Sequence, residues 1–251
     1  TAVIARWLQK YGYRVAVVPQ PNWRDDLRDF RKLGAPRQYF GVNSGAMDSM
    51  VNHYTAAKRL RSDDAYTPEG KAGQRPDYAV TVYTKILKEI YPEVPVIIGG
   101  IEASLRRVTH YDYWQNSLKP SVLVESGADW LCYGMGERTM LEFTKAIEAG
   151  RNVNDIRKIP QLGFYMDGRC RTKDAVILNS YERCTKYKVA FAENFHVVET
   201  YANMMHPPVL VEPVGNGYVQ INPTWPPATQ QEMDSFWDLP FTKLPHPRYK
   251  G

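Results

Sequence analysis

The sequence predicts an α/β fold built on an open, mostly parallel, doubly wound sheet. Over the first 150 residues, short apolar segments alternate with amphipathic segments at helical spacing. The apolar segments at 94–98 and 129–133 are continuous rather than alternating, which is typical of strands buried on both faces of a parallel sheet. Each of these two segments runs into glycines and then directly into a helical pattern, as a parallel sheet requires.

The predicted elements of this first region follow one another with clear start and stop signals. Gly12, Pro19, Gly34, Pro92 and Gly150 end elements, and Asn22 is a helix N-cap candidate. The predicted elements are a helix over 2–11, a strand over 14–18, a helix over 23–33, a strand over 38–42, a short helix from 46, a helix over 76–91, a strand over 94–98, a helix from 102, a strand over 129–133 and a helix over 137–149. A doubly wound sheet normally begins with a strand, so we expect a first strand to precede Thr1.

Beyond residue 150 the pattern changes. Segments 161–166 and 175–178 flank the turn 167–169 and predict a hairpin, and 181–206 is helical in pattern. Residues 207–251 hold 9 of the 18 prolines, which indicates an extended connector. We therefore predict a Rossmann-like domain over 1–150, a hairpin and helical segment over 151–206, and a connector over 207–251.

Composition excludes several classes of protein. The chain has 251 residues, 43% hydrophobic and 24% charged, as in ordinary globular domains. No apolar run approaches the roughly 20 residues of a membrane-spanning helix. Three cysteines are too few for a disulfide-stapled scaffold. We expect a cytoplasmic protein without a membrane partner.

Net charge is +5, and the excess lies in the N-terminal third. Residues 1–75 carry 13 Lys and Arg against 7 Asp and Glu. Such a segment can attract nucleic acid, with Arg59 and Arg61 as the side chains to test. The interspersed acidic residues favour a solvated surface instead.

Three glycine-bearing loops follow strands of the predicted sheet. Ligands of an open parallel sheet bind beyond the carboxyl ends of its strands, where glycine lets the backbone come close to them. The candidate ligand-edge residues are Ser44, Gly45, Gly99, Gly100, Glu102, Gly134, Gly136 and Glu137. None of the loops matches G-x-G-x-x-G or a P-loop, and each glycine is also explained by a tight strand-to-helix turn.

Other site chemistry finds little support. Cys132, Cys170 and Cys184 lack metal or cluster spacing, and no two of the five histidines are spaced as ligands. Ser44 and Ser104 lack a nucleophile elbow. We predict no catalytic residue and no metal ligand in this chain, and we expect Cys132 to be a core thiol.

One segment is unusually rich in arginine and aromatic residues. It runs from Ser104 to Trp114 and contains Arg106, Arg107 and His110. Arginine and aromatic side chains are typical anchors of an interface, so the segment can close over a ligand or dock a partner domain. An amphipathic helix end with buried rings explains it equally well.

Several motifs identify a resemblance that covers nearly the whole chain. The motifs are GGIEASLRR at 99–107, HYDYW at 110–114, MDSM at 47–50, DAYTP at 64–68, RPD at 75–77, EMDS at 232–235, LP at 239–240 and PHP at 245–247. They resemble the YgiQ-like family of radical S-adenosylmethionine (SAM) proteins, whose N-terminal region is a cobalamin-binding-like, flavodoxin-like α/β domain.

The resemblance implies a role within a larger enzyme. It implies that a C-x-x-x-C-x-x-C motif, a [4Fe–4S] cluster and a radical SAM barrel follow this region, and that no cofactor is held by the region itself. The D-x-H-x-x-G signature of cobalamin binding is absent. The expected function is an accessory N-terminal domain of an iron–sulfur oxidoreductase that covers the active site or presents an unknown substrate. Two alternatives stay open: a free-standing module for a nucleotide or cobalamin-like ligand, and a nucleic-acid-associated domain.

Overall fold

The computed structural model describes residues 1–240, 242 and 244. Its centre is a seven-stranded sheet of order β1-β2-β5-β6-β9-β8-β7, with a separate two-stranded ribbon β3-β4. The strands are β1 Phe40–Val42, β2 Val96–Ile98, β3 His110–Asp112, β4 Ser117–Lys119, β5 Trp130–Cys132, β6 Leu162–Asp167, β7 Val176–Ile177, β8 Leu210–Val214 and β9 Gly217–Ile221. The helices are α1 Ala2–Lys10, α2 Arg28–Arg31, α3 Ser49–His53, α4 Ala79–Ile90, α5 Gly100–Leu105, α6 Val122–Ser126, α7 Glu137–Glu148, α8 Val153–Ile156, α9 Tyr181–Lys186, α10 Lys188–Ala202 and α11 Gln230–Trp237.

The predicted α/β class is confirmed, with helices on both faces of the sheet. Strands β1, β2 and β5 pair in parallel. Alternate residues of β2 and β5 enter two cores: Ile98 and Leu131 pack beneath α4 and α6, whereas Ile97 and Trp130 pack beneath α7 and α8. This two-sided burial explains why both strands are continuously apolar. Cys132 is a core thiol as predicted, and burial raises its pKa to about 12.

The sheet continues through the boundary predicted at residue 150. Strand β6 pairs antiparallel with β5, and β9 then pairs antiparallel with both β6 and β8. The predicted hairpin between 161–166 and 175–178 is therefore wrong in its pairing, because β6 pairs with β9 and β7 with β8. The hairpin of this region is β8–β9, in which Gly215 adopts a positive φ at the turn.

The connector predicted over 207–251 is also wrong in part. Its first section forms β8 and β9, two almost fully buried strands, and α11 follows with a capping box at Thr229 and Glu232. The frequent prolines predicted a segment without paired strands, but Pro213 lies within β8, next to the turn between β8 and β9. Phe241, Lys243 and residues 245–251 lie outside the described residues, and so does the PHP motif.

Two elements near the N-terminus differ from prediction. Residues 14–18 form no strand: Val15 packs against the cluster around α1, but Val17 is half exposed. The helix predicted over 23–33 shrinks to α2, because the side chains of Asp25 and Asp26 accept hydrogen bonds from backbone N–H groups that a longer helix would use. Leu27, at φ +58°, then starts the helix.

Candidate functional site

The structure brings the three glycine loops together at one edge of the sheet. Because β1, β2 and β5 are parallel, their carboxyl ends meet there. A Cβ added to Gly100 would lie 3.2 Å from Cβ of Asn43, so the first two loops touch. The Ser104 hydroxyl accepts a hydrogen bond from the Gly134 N–H at 3.2 Å and so ties the third loop to α5.

In the first loop, the polar atoms of Ser44 are engaged within the protein. The Ser44 side chain is buried and its hydroxyl donates to the Met47 carbonyl at 2.9 Å. The Ser44 carbonyl accepts from the Arg75 guanidinium at 2.8 Å. The Gly45 N–H donates to the Asn43 side chain at 2.9 Å. These bonds fix the loop's shape and leave its exposed backbone, rather than the Ser44 hydroxyl, facing outward.

In the second loop, Glu102 braces two helices. Its carboxylate is 1% exposed and accepts hydrogen bonds from the N–H groups of Ser49 and Val80, both at 2.9 Å. These donors lie in the first turns of α3 and α4, where N–H groups have no partner within the helix and negative charge is favoured. Glu102 therefore positions the helices around the edge, and both of its oxygens are occupied. Gly99 lies three residues before Glu102. A Cβ added to Gly99 would lie 3.2 Å from the carbonyl oxygen of Cys132.

In the third loop, Gly134 and Gly136 are fixed by close neighbours. Gly134 has φ +67°, and a Cβ there would lie 2.9 Å from the Gln161 side-chain nitrogen. A Cβ on Gly136 would lie 3.1 Å from the Cys132 sulfur. Glu137 opens α7, and its Oε2 is buried without a hydrogen-bond partner among the described residues. A carboxylate in this position repels phosphate, which favours an uncharged or cationic group at this loop.

Two ion pairs that were not predicted from the sequence organise the edge. Arg75 and Asp64 are both nearly fully buried, with nitrogen and oxygen 2.9 Å apart. Arg106 lies 2.7 Å from Asp48, whose other oxygen caps α3 at Met50. Residues 58–77 form an unusually long polar connection, which we call the polar excursion. Its length was the available signal for the Arg75–Asp64 pair, since such connections are commonly functional.

The excursion is held against the edge by the Arg75–Asp64 pair. Burial acts to raise the pKa of Asp64, but hydrogen bonds from the Tyr66 N–H and from Arg75 outweigh it and hold that pKa below its ordinary value of 3.8. Because Arg75 also donates to Ser44, the pair links the excursion directly to the first glycine loop.

The arginine- and aromatic-rich segment forms the end of α5 and the β3–β4 ribbon. Trp114 stacks on Tyr54 of the loop after α3, with ring centroids 3.9 Å apart. Tyr78 donates to Asp112 at 2.5 Å, and burial together with that carboxylate raises the pKa of Tyr78 well above its usual range. Burial, assisted by Arg106, lowers the pKa of His110 to about 4, so this histidine is neutral at pH 7. The segment is thus mostly packed in place.

Large apolar side chains nevertheless remain exposed beside the glycine loops. Ile101 and Leu105 occupy successive turns of α5 and are 45% and 59% exposed. Met135, between Gly134 and Gly136, is 54% exposed. We call these three residues the apolar rim. Exposed apolar residues gathered at one place, rather than scattered, mark an interaction surface.

Neither a metal centre nor a membrane span is found in the part of the chain that the structure describes. No group of three or more His, Cys, Asp or Glu side chains there is arranged to hold a metal ion. Cys132, Cys170 and Cys184 are free thiols. Among the same residues, no helix combines the length and apolar character needed to cross a bilayer.

Comparison with known proteins decides the family. The model of the radical SAM N-terminal family matches residues 1–251. The chain belongs to the radical SAM N-terminal family. The resemblance drawn from the motifs is thereby confirmed, and the domain is an N-terminal region of a radical SAM-type protein.

The relatives of this domain are longer proteins. The whole chain is 52% identical over 253 residues to a UPF0313 protein of Porphyromonas gingivalis and covers 40% of it. It is 49% identical to a UPF0313 protein of Bacteroides thetaiotaomicron, covering 42% of it, and 42% identical to one of Clostridium botulinum, covering 39%. The chain thus spans about two fifths of the curated relatives it matches. No solved structure matches it.

Proposed function

We propose that this domain is the accessory N-terminal part of a cytoplasmic radical SAM iron–sulfur oxidoreductase and that it does not catalyse the reaction alone. In this proposal the glycine-loop edge faces the active site of the complete enzyme and covers it or presents the substrate. The observation that carries the proposal is the apolar rim, which lies directly beside the three glycine loops.

The chemistry of such an enzyme requires an iron–sulfur cluster, which the cysteines of the described residues do not fit. The family implies a [4Fe–4S] cluster and SAM in the complete protein. The cluster needs cysteine thiolates, yet Cys132 and Cys184 are buried, and burial raises the pKa of Cys132 to about 12 and that of Cys184 to about 11. The proposal therefore assigns both cofactors to the remaining part of the enzyme.

What this chain contributes is a shaped surface. Glu102 and the Arg75–Asp64 pair fix the loops from beneath, while the apolar rim stays free to be buried. Burying apolar surface stabilises contact by roughly 25 cal/mol per Å². A rigid edge with an unburied apolar border fits a contact between domains that excludes water from the space under the loops.

The first experiment tests the activity of the complete protein. The full-length protein is reconstituted anaerobically with iron and sulfide, reduced, and assayed for 5′-deoxyadenosine formed from SAM. We expect formation by the full-length protein and none by residues 1–251. If an intact, cluster-loaded protein forms none, the radical SAM assignment fails and a free-standing binding module takes its place.

The second experiment tests the surface. Ile101→Asp and Leu105→Asp are introduced into the full-length protein, with Leu33→Asp as control. Leu33 is 60% exposed, as Leu105 is at 59%, but it lies outside the rim. We expect the rim variants to increase proteolysis between the domains and hydrogen exchange at the glycine loops, with the control unchanged. Equal behaviour of rim and control variants contradicts this docking surface.

A further inference from the structure

A second concave site lies away from the glycine loops, along β6 and β9. It is a cavity of about 510 Å³ on the sheet face that carries α7 and α8. A neighbouring cavity of about 490 Å³ shares Met166, Arg171 and Tyr218 with it, so the two form one groove. We call it the β6–β9 groove. A volume of this size is usual for sites that hold small organic molecules.

The groove runs toward the edge of the sheet opposite the glycine loops. Strand β6 is antiparallel to β5, and Leu162 at its start pairs with Cys132 at the carboxyl end of β5. Asp167, at the other end of β6, pairs with Gly217. The end of the groove at Asp167 and Gly168 therefore lies at the far edge. The residues that line the two cavities include none of the glycine-loop or apolar-rim residues.

Its charge is strongly positive. Arg157, Lys158 and Arg171 line the larger cavity, and no acidic side chain of the described residues lines it. The smaller cavity is also lined by Arg169 and Asp167. Lys158 pairs with Asp155 at 2.8 Å, but neither Arg157 nor Arg171 forms an ion pair within the described residues. Two arginines without counterions therefore line the same cavity.

Arg157 has an unmet hydrogen-bonding need. Its Nε is buried and has no partner among the described residues. The guanidinium carbon lies 5.5 Å from the centroid of the Phe164 ring, which restricts its orientation. A buried donor left unpaired is unfavourable, and the Arg157 guanidinium lines the cavity, so an acceptor brought by a ligand would improve the hydrogen bonding of this side chain.

The floor of the groove is rigid and only partly polar. The Asn222 amide donates to the carbonyls of Arg157 and Ile159, both at 2.7 Å. Asn222 also accepts from Gln220 at 2.9 Å. These amides are satisfied by the protein, whereas Phe164 and Tyr218 supply apolar wall. The groove therefore offers cationic donors on one side and an apolar surface on the other.

We propose that the β6–β9 groove binds a small phosphomonoester with an apolar or aromatic body. A phosphomonoester carries about −1.5 to −2 charge at pH 7, which matches two unpaired arginines better than a carboxylate does. Guanidinium groups bind phosphate oxygens through paired hydrogen bonds. Arg157 and Arg171 bind the phosphate, and the body of the ligand lies along the wall at Phe164 and Tyr218.

The test uses phenyl phosphate as the probe on the full-length protein. The probe contains no adenosine, so a SAM site elsewhere in the enzyme does not recognise it. Isothermal titration calorimetry at 50 mM salt compares it with inorganic phosphate, phenol and benzoate. We expect phenyl phosphate to bind more tightly than all three.

Variants locate the binding. Arg171→Gln changes an exposed side chain and is expected to fold normally, while Arg157→Gln removes the buried donor. Each is expected to weaken binding at least about tenfold, as the loss of a charge-assisted pair implies. Arg151→Gln, an exposed arginine outside the groove, is the matched control and should leave binding unchanged.

Four results would overturn the proposal. The first is no binding of phenyl phosphate, and the second is binding that Arg171→Gln leaves unchanged. The third is benzoate binding as tightly as phenyl phosphate, which would make the site a carboxylate site. The fourth is binding of a 12-nucleotide oligo(dT), lost on Arg171→Gln, when phenyl phosphate does not bind, because the groove would then follow a nucleic-acid backbone.

Discussion

The guanidinium of Arg75 lies 2.9 Å from the carboxylate of Asp64, and each side chain is at most 4% exposed. The same guanidinium donates to the Ser44 carbonyl, so one buried pair joins the long polar excursion to the first glycine loop. The pair's position indicates that the excursion is a fixed wall of the candidate edge. Its loss is therefore expected to affect both stability and the shape of that edge.

We predict that Arg75→Met lowers the free energy of unfolding by about 3–5 kcal/mol, because it leaves the Asp64 carboxylate buried and uncompensated. Urea denaturation measures the change. The double variant Arg75→Met with Asp64→Leu is the control and should recover part of the loss, since both charges are then removed. A single variant as stable as the parent would show that the pair is solvated.

Acid should weaken the same pair. The pKa of Asp64 in the folded protein is lowered from 3.8, so the unfolded state binds protons first as the pH falls. The stability contributed by Asp64 is fully present above pH 3.8 and is lost as the pH falls through the lower, folded value. Thermal melts between pH 2 and 6 should show a smaller acid loss for Asp64→Asn than for the parent. An equal fall of the melting temperature with pH in the variant and the parent would contradict the lowered pKa of Asp64.

Glu212 should give the opposite pH dependence. It is 1% exposed on β8, accepts one hydrogen bond from the Thr109 N–H at 2.8 Å, and burial raises its pKa to about 7. Here the folded state binds the proton more tightly, so stability falls as the pH rises from 4.5 to about 7.

We predict that Glu212→Gln raises the free energy of unfolding at pH 8 by roughly 3 kcal/mol, because the pKa is raised from 4.5 to about 7 and each pKa unit corresponds to about 1.4 kcal/mol. At pH 4 the variant and the parent should differ little. Thermal melts at the two pH values measure this. A variant that is less stable than the parent at pH 8 would indicate that the ionised carboxylate is favourably bound.

Glu102→Gln should destabilise the edge. The carboxylate accepts from N–H groups at the starts of α3 and α4, and an amide can accept at only one of its two atoms. We expect a loss of about 1.5–3 kcal/mol, the range for hydrogen bonds to charged groups. Urea denaturation compares it with Glu93→Gln, an exposed control that should change stability by less than about 0.5 kcal/mol. A loss no larger than the control's would contradict the bracing role.

Gly134→Ala tests the close approach of the third loop to Gln161. Both Gly134 and Gly168 have positive φ, and an added Cβ meets Gln161 at 2.9 Å in the first case and nothing within 4 Å in the second. Gly168→Ala should cost about 1–2 kcal/mol from the backbone conformation alone. Gly134→Ala should cost more, as measured by chemical denaturation. Equal losses would mean that Gln161 moves aside freely.

Elements that are determined by local pattern could be predicted from the sequence. The helices α4 and α7 and the strands β2 and β5 lie where the apolar spacing and the glycines predict them. Pairing could not be predicted beyond β5, because β6 pairs with β9 as well as with β5, and β9 lies about 50 residues further along the chain. The strand predicted over 14–18 is wrong because an apolar run has the same composition whether it joins a sheet or packs against a helix.

The candidate edge was predictable in its position but not in its chemistry. Strand-end glycines place the loops at one edge of any parallel sheet. The roles of Glu102 and Asp64 depend on partners 11 to 53 residues away, which no periodicity reveals. The β6–β9 groove was likewise not predictable, since Arg157 precedes β6 and Arg171 follows it, and the segment of Arg171 returns over the sheet through a hydrogen bond from Thr172 to Gln220 of β9.

The insertion of β9 between β6 and β8 has a consequence for biosynthesis. Until residue 221 has left the ribosome, β6 has a row of unsatisfied N–H and C=O groups along the edge that β9 later covers. The parallel strands β1, β2 and β5 can assemble earlier. A nascent chain therefore passes through a stage in which this half of the sheet is folded and the edge of β6 is unpaired and open to aggregation. Pauses in translation between residues 167 and 217 would lengthen that exposure, and chaperones that shield strand edges would matter most there.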